Sequence, residues 1–535
     1  MQKSIESLLP RLNTGDTGKP GNAVILEAKM LDLETGANVA LVNETDAQFL
    51  GIHAGDRIAL RYDSKETVAI ANTTTIVKKG SLGITKDVRG ILNARNLSKI
   101  DVELAPLPKS VVAIKDKING KKLEYAELYE IVKDAISKDL TKEELAAFVV
   151  ALHSYGLDFE EAVNMSMAMV KTGDVLDLGK KRVYDKHSIG GVPGDKTTLL
   201  VVPIIAAAGL TIPKTSSRAI TSAAGTADRA EALMPVGLSI SEMKRVVERA
   251  NGCIVWGGAM HLAPADDIFI KAEYEFSIDP LLFPSIISKK KSVGSTDVVI
   301  DVPVGQTVKV KNNAEAEDLV RNFMKLGDRL DMRIRGAITF GEQPIGYAIG
   351  ANAEAAEALR TISKPENAKD LADKAASVAG ILLEMAGKEN GKELAMRMLR
   401  SGRAEKKLRE IIELQGGDAK IKPEELPIGE LSTTINADRN GKLMFIDNFA
   451  VANAVRSGGA PTNKKAALIL HKKLGDSVKK GEPLLTIYAD RSTALNSMED
   501  YLLKNNSVIV ASGSSMLIEK IKEERAARKR FILER

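Results

Sequence analysis

Apolar positions change their period repeatedly along the chain. From residue 23 to 108 they fall in short β-rich runs, NVALVN, RIALRY and TVAIANTTTIV, separated by the turn signals ETG, HAGD and KKGSLG. That spacing predicts a small all-β domain. From 109 to 173 the period is helical: Thr141 and Glu144 make a capping-box pattern ahead of LAAFVVALHSYGL, and FEEAVNMSMAMVKTG keeps its helical spacing up to Gly173. Met165, Met167 and Met169 read as core filling rather than a binding face.

Beyond Val175, strand-like and helix-like segments alternate: KRVYD, a glycine loop, an apolar helix, a short strand ending near Pro213, and a helix opened by Ser239 and Glu242 and stopped by Gly252. The alternation predicts a mixed or mostly parallel α/β lobe over 174–261 and 293–435, with a helical lobe over 109–173 and 262–292. The stretch 370–416 is strongly helical, and the pattern is β-like again past Ile428. Within 436–512, the short strands around GDSVKKGEPL resemble the compact β-hammerhead of biotinyl domains, without a lysine in the biotin-type context. Residues 1–22 read as a flexible leader and 513–535 as a charged amphipathic helical tail. The fold class is therefore multidomain α/β.

Composition narrows the setting. The 535 residues are 44% apolar and 27% charged, enough chain for roughly three or four domains. Cys253 is the sole cysteine, which excludes an internal disulfide framework and a multi-cysteine metal cluster and fits a reducing cytoplasm. The longest apolar run, 199–210, holds a proline and is too short for a bilayer, and the N-terminal residues lack a signal-peptide pattern. A net charge of +5 spread along the chain, with 4% aromatic residues, argues against nucleic acid as a partner. It leaves an anionic small molecule open.

Three stretches carry candidate chemistry. In YDKHSIGGVPGDKTTLL, a strand ends at Asp185-Lys186-His187-Ser188, a loop with Gly190, Gly191 and Gly194 follows, and a helix begins near Thr197. Such a loop brings backbone N–H groups close to an oxyanion at a helix N-terminus. Asp195 breaks the Gly-Lys pair of a Walker A loop, and taken alone the glycines suit a structural turn equally. In KTSSRAITSAAGTADRAE, hydroxyls and an arginine follow a strand end, where parallel sheets bind ligands, although a plain surface loop has the same composition. In LAPADDIFIKAEYEFSIDPLLFPSIISKK, three carboxylates, Asp266, Asp267 and Asp279, precede Ser285 and Lys289, which are four apart on one helix face. Caps or solvated loop residues would account for those carboxylates as well.

In this order, HSIGGVPG, KTSSRAITSAAGTAD, LAPADD, SIDP and SIISKK resemble the thymidine/pyrimidine-nucleoside phosphorylase family, closest to its AMP phosphorylase branch and to the bacterial type 2 thymidine phosphorylases. The resemblance runs from about residue 24 to about residue 510. It implies splitting of an N-glycosidic bond by inorganic phosphate, a co-substrate, with no cofactor and no metal. It also implies a homodimer or larger homo-oligomer. By the same resemblance, Lys186, Ser188, Thr198 and Thr226 bind phosphate, Gly191 offers backbone approach to the substrate, and His187 lines the sugar and base site. Ser217, Arg218, Ala219, Ile220, Thr221 and Ser222 match the nucleotide-binding segment, to which Thr226 also contributes. Asp279 matches the proton donor to the base; a pKa raised by burial would let it carry that proton near neutrality, and burial is not legible in the sequence. Ser285 and Lys289 match substrate contacts, and Lys309 suits a 5′-phosphate.

Two departures bear on the branch. Ala272 stands where thymidine phosphorylases carry a base-contacting arginine, against a pyrimidine-nucleoside substrate, whereas Lys186 is the lysine of the thymidine branch. The link from Asp279 to Ser285 is two residues shorter than in relatives, with Pro284 before the serine. Competing readings are a pyrimidine-nucleoside phosphorylase, an anthranilate-type phosphoribosyltransferase, whose chemistry needs acidic residues holding magnesium, and a non-catalytic nucleotide-binding or assembly protein.

Overall fold

In the computed structural model, residues 23–219, 222–260 and 262–511 are described. The leader 1–22, the tail 513–535 and the candidate residues Ile220 and Thr221 lie outside the described residues. The chain forms two units, one comprising residues up to Ala168 together with Ala265–Leu281, the other Met169–Pro264 with Leu282 onward.

In the first unit, strands β1 (Val24–Met30), β2 (Val39–Asn43), β3 (Arg57–Tyr62), β4 (Lys65–Thr74), β5 (Ser81–Ile84) and β6 (Lys99–Leu104) close a barrel in the order β1-β5-β2-β4-β3-β6. Each strand sends alternate apolar residues inward, among them Ala40 and Val42, Ile58 and Leu60, Leu82 and Ile84. Closure leaves no open sheet edge. Helices Lys109–Ile118, Tyr125–Ile136, Lys142–Tyr155 and Pro264–Phe276, and Phe159–Lys171 up to Ala168, also belong to the unit. The expected capping box forms: the Thr141 N–H donates to Glu144 Oε2 at 2.9 Å and the Glu144 N–H to Thr141 Oγ1 at 3.2 Å. Glu144 also accepts from Arg57 of β3, which ties the barrel to the helices. Met165 and Met169 are buried in the core.

The second unit holds five parallel strands, β7 (Tyr184–Ser188), β8 (Ile212–Ser216), β9 (Gly252–Trp256), β10 (Asp297–Val304) and β11 (Arg333–Phe340). They form a sheet of order β11-β10-β7 and a pair β8-β9. The chemistry of Pro213 accounts for the seam. The N–H of Ile212 donates toward the Asn251 side, so Pro213 faces β7 and has no N–H to give it. The strand expected to end near Pro213 instead runs through it to Ser216. Helix Thr198–Ala207 is buried on every side, which its unbroken apolar sequence requires.

Three boundaries differ from the sequence reading. Helix Ile240–Ala250 is stopped by Asn251 in the left-handed conformation (φ 61°), not by Gly252, which opens β9; asparagine tolerates that conformation by bonding locally. Helix Leu282–Ser292 belongs to the second unit rather than to the helical lobe, because Ile286, Ile287 and Lys290 are buried there. The C-terminal sheets begin before 436: β12 (Ala348–Ile349), β13 (Leu431–Asn436), β15 (Ala467–Leu470) and β17 (Pro483–Ala489) form one antiparallel sheet, and β14 (Gly441–Ile446), β16 (Ser477–Val478) and β18 (Val508–Ala511) another. Among the described residues no helix is long and apolar enough to cross a membrane.

Candidate active site

Strand β7 ends in the glycine loop, and alternation along the strand sends Asp185 and His187 to one face and Lys186 and Ser188 to the other. Gly190, Gly191 and Gly194 all have positive φ. A Cβ on Gly191 would lie 3.0 Å from the Lys309 amide nitrogen, and one on Gly194 2.6 Å from the Ile345 carbonyl oxygen. Only glycine lets the loop pass between those segments. Ser188 Oγ accepts the Gly190 N–H at 3.3 Å, and the Ile189 N–H donates to the Asp301 carbonyl at 2.9 Å. Thr198, buried, is the first residue of the following helix, whose N-terminal N–H groups face the end of the loop.

The two faces of β7 differ electrostatically. Behind His187, Asp185 accepts from Lys290 Nζ at 2.8 Å and stands 3.6 Å from Lys214 Nζ. Burial, followed by the ammonium groups of Lys290 and Lys214, holds the His187 imidazolium well below its usual range. The imidazole is therefore neutral near pH 7. On the other face Lys186 is buried, and burial lowers its pKa against the pull of Asp195 and Asp301. Among the described residues its ammonium has no ion pair. Lys374 Nζ lies 2.9 Å from Asp301 Oδ2 and 3.8 Å from Asp195 Oδ2. Burial would raise the Asp195 carboxyl, but Lys374 and Lys186 outweigh it and hold it low.

Lys196, the lysine of the Gly-Asp-Lys run, is fully buried and donates to the carbonyls of Ile345 and Ala348 at 2.8 and 2.9 Å, with Glu357 Oε2 at 2.5 Å. It fastens the loop to the 345–348 segment and does not face a ligand.

The hydroxyl-rich segment is shaped by Gly225 and Asp228. A Cβ on Gly225 would fall 2.5 Å from the Ala219 nitrogen and 2.8 Å from the Ser217 carbonyl oxygen. Asp228 Oδ2 accepts the N–H of Ala219 at 2.7 Å and of Gly225 at 2.8 Å. Ser217 is exposed, while Ala219, Ser222 and Thr226 are half-buried. Arg218 forks onto Glu231 at 2.6 and 2.9 Å, reaches Asp228 at 3.2 Å and stacks 4.9 Å above the Trp256 ring. Its guanidinium thus shapes the loop in this structure.

The remaining candidates are spread over both units. Asp279 lies in the first unit, after helix Pro264–Phe276, and it is exposed. Ser285, Lys289 and Lys309 lie in the second unit; Ser285 is buried, Lys289 half-buried and Lys309 exposed. The backbone of Lys309 packs against Gly191. In the second unit the structure gathers Lys186, His187, Ser188, Gly191 and Thr198 on one strand, loop and helix start. The sequence reading missed Asp185, Lys214, Lys290, Asp301 and Lys374. Of these, Asp185, Lys214 and Lys290 lay inside stretches already singled out; Asp301 and Lys374 did not.

Comparisons with known proteins cover most of the chain. The glycosyl transferase family a/b domain matches residues 180–405, the helical bundle domain of that family 111–173, and the pyrimidine nucleoside phosphorylase C-terminal domain 443–509. An AMP phosphorylase of Thermofilum pendens is 47% identical over 498 residues, which is 93% of this chain and 97% of its own. An AMP phosphorylase of Pyrococcus furiosus is 47% identical over 473 residues, 88% of this chain and 94% of its own. Among solved structures, anthranilate phosphoribosyltransferase from Thermus thermophilus matches 57% of this chain and 99% of its own, at 21% identity and TM-score 0.49.

Proposed function

The chain belongs to the AMP phosphorylase family, and from that premise we propose that it is a pentosyltransferase that cleaves AMP with inorganic phosphate, giving adenine and ribose 1,5-bisphosphate. The observation that carries this is the 47% identity to AMP phosphorylases over nearly the whole of both chains. Ala272, where a pyrimidine-type site would carry arginine, agrees with it.

The chemistry assigns roles. A phosphate oxygen bonds to C1′ while the C1′–N electron pair leaves with the base, which must take up a proton; positive charge builds on the sugar. Phosphate is held by Lys186, Ser188, Thr198 and Thr226, with the Gly191 N–H in the loop. The support for this is the buried ammonium without an ion pair and the glycines forced into close approach. His187, kept neutral, lines the sugar and base. Segment 217–222, Ser285, Lys289 and Lys309 hold the nucleotide, the last at its 5′-phosphate. Asp279 gives the base its proton. Its carboxyl is exposed. The scheme uses no cofactor and no metal.

The C-terminal sheets are of β-hammerhead type, the protein acts as a homodimer or larger homo-oligomer, and buried Cys253, whose thiol burial pushes up, suits a reducing cytoplasm.

The test is base release from AMP, CMP, UMP, adenosine, uridine and thymidine, each with phosphate. AMP is expected to release adenine, with ribose 1,5-bisphosphate as the second product. Cleavage of thymidine or uridine without cleavage of any monophosphate would replace this reading with a pyrimidine-nucleoside phosphorylase.

A further inference from the structure

We propose that Lys374 is a positioning residue of the phosphate site: by neutralising Asp195 and Asp301 it leaves the Lys186 ammonium uncommitted and available to phosphate. The inference rests on the reading of Lys186 as a phosphate ligand.

Lys374 projects from helix Lys369–Met385 and is nearly buried. Its two carboxylates belong to the segments that build the cradle. Asp195 sits in the glycine loop and its Oδ1 accepts the Thr197 N–H at 3.2 Å, at the start of the helix that carries Thr198. Asp301 is in register with Ser188 across β10 and β7; its carbonyl accepts the Ile189 N–H and its Oδ1 accepts Thr339 Oγ1 at 2.6 Å. Asp195 and Asp301 are also the leading carboxylates acting on Lys186.

Two buried carboxylates beside a buried ammonium would capture it, since a partnered charge is far cheaper to bury than a lone one. They would also repel a phosphate dianion in surroundings where charges are weakly screened. Lys374 removes both effects by meeting the two carboxylates. Arg229 acts in the same direction by donating to the Asp195 carbonyl, but its own charge is met by Glu354 at 2.9 Å.

Phosphate and AMP saturation curves on Lys374→Met, Lys374→Arg, Lys186→Met and the pair Lys374→Met with Asp301→Asn test this. Lys374→Met is expected to raise the KM for phosphate about tenfold or more while the KM for AMP stays within about threefold. Lys374→Arg should stay nearer the parent. The double variant, which removes one of the uncompensated charges, should recover most of the loss. A purely structural lysine would move both KM values together and would not be rescued by deleting a carboxylate. If Lys374→Met fails to fold, the double variant alone decides: a phosphate KM within about threefold of the parent supports the proposal, and one raised about tenfold overturns it. An unchanged phosphate KM in Lys374→Met, with a raised one in Lys186→Met, overturns the proposal alone. An unchanged value in Lys186→Met overturns the phosphate reading and this inference with it.

Discussion

Lys186 and His187 are neighbours on one strand, and burial lowers the pKa of both, yet the charges around them are of opposite sign. Beyond burial, the charges acting on His187 are those of Lys290 and Lys214, which penalise any added proton, whereas those leading on Lys186 are the carboxylates of Asp195 and Asp301, which oppose the loss of its proton and are themselves met by Lys374. That division suits a reaction in which an anion must be gripped on one side and a sugar cation must form on the other. In the proposed scheme proton delivery falls to Asp279. Replacing Asp279 by Asn should lower base release by about 10²–10⁴-fold, the usual share of general acid catalysis, with phosphate binding retained. Near-parent turnover in that variant would remove Asp279 from the chemistry. The strand end, glycine loop and helix start that hold Lys186 and Ser188 were legible in the sequence because they follow one another locally, while the roles proposed for the two side chains came from the resemblance. Lys290 was not, although Lys289 beside it was picked out: which of two adjacent lysines turns inward depends on what the helix packs against, here Asp185.

At the scale of elements, Gly225 decides whether the backbone at 217–219, in the segment proposed to hold the nucleotide, can pass close to it. Its φ is ordinary, so the requirement is space: the backbone at Arg218 and Ala219 lies 2.5 Å from where a Cβ would be. Gly225→Ala should push the 217–219 backbone outward, raising the KM for AMP and costing about 1–3 kcal/mol of stability, as overpacking does. Thermal unfolding and AMP saturation together read both effects; a variant that matches the parent in each would show that the loop has slack. The capping boxes at Thr141 and Ser239 were legible because both partners lie within four residues. The end of β8 and the grouping of helix Leu282–Ser292 were not, because Pro213 and Ile286 are read through neighbours distant in sequence.

At the scale of the whole molecule, the C-terminal sheets reach back to the candidate site within the second unit. Lys464 meets Glu231 Oε2 at 2.6 Å, Arg456 donates to the Ser222 carbonyl at 3.2 Å, and Ala223 is buried in the C-terminal core. Hydrogen bonding from Arg218, aided by Lys464, pulls the Glu231 carboxyl down to about 2 from 4.5. A carboxyl lowered by folding stabilises the native state fully above its unfolded value, and that contribution is lost as pH falls toward the folded value. The Tm difference between the parent and Glu231→Gln should therefore be constant above about pH 5 and shrink between 4.5 and about 2. A difference that holds steady down to pH 3 would mean the carboxylate's charge is not what the C-terminal sheets use.

The sequence by itself determined a small all-β domain, the helical segments, the alternating strands and helices and the glycine loop between strand and helix, because each depends on residues close together in the chain and on apolar periods set by backbone geometry, whereas closure of the β domain into a barrel is a matter of tertiary pairing. It also carried the resemblance that pointed to phosphorolysis. Only the tertiary structure decided which charged side chains are matched: that Lys196 is a fastener, that Arg218 is held by Glu231 and Trp256, and that Lys374 reaches Asp195 and Asp301 from a helix some 70 to 180 residues away. Burial and charge pairing are properties of neighbours in space, and those neighbours are chosen by the fold.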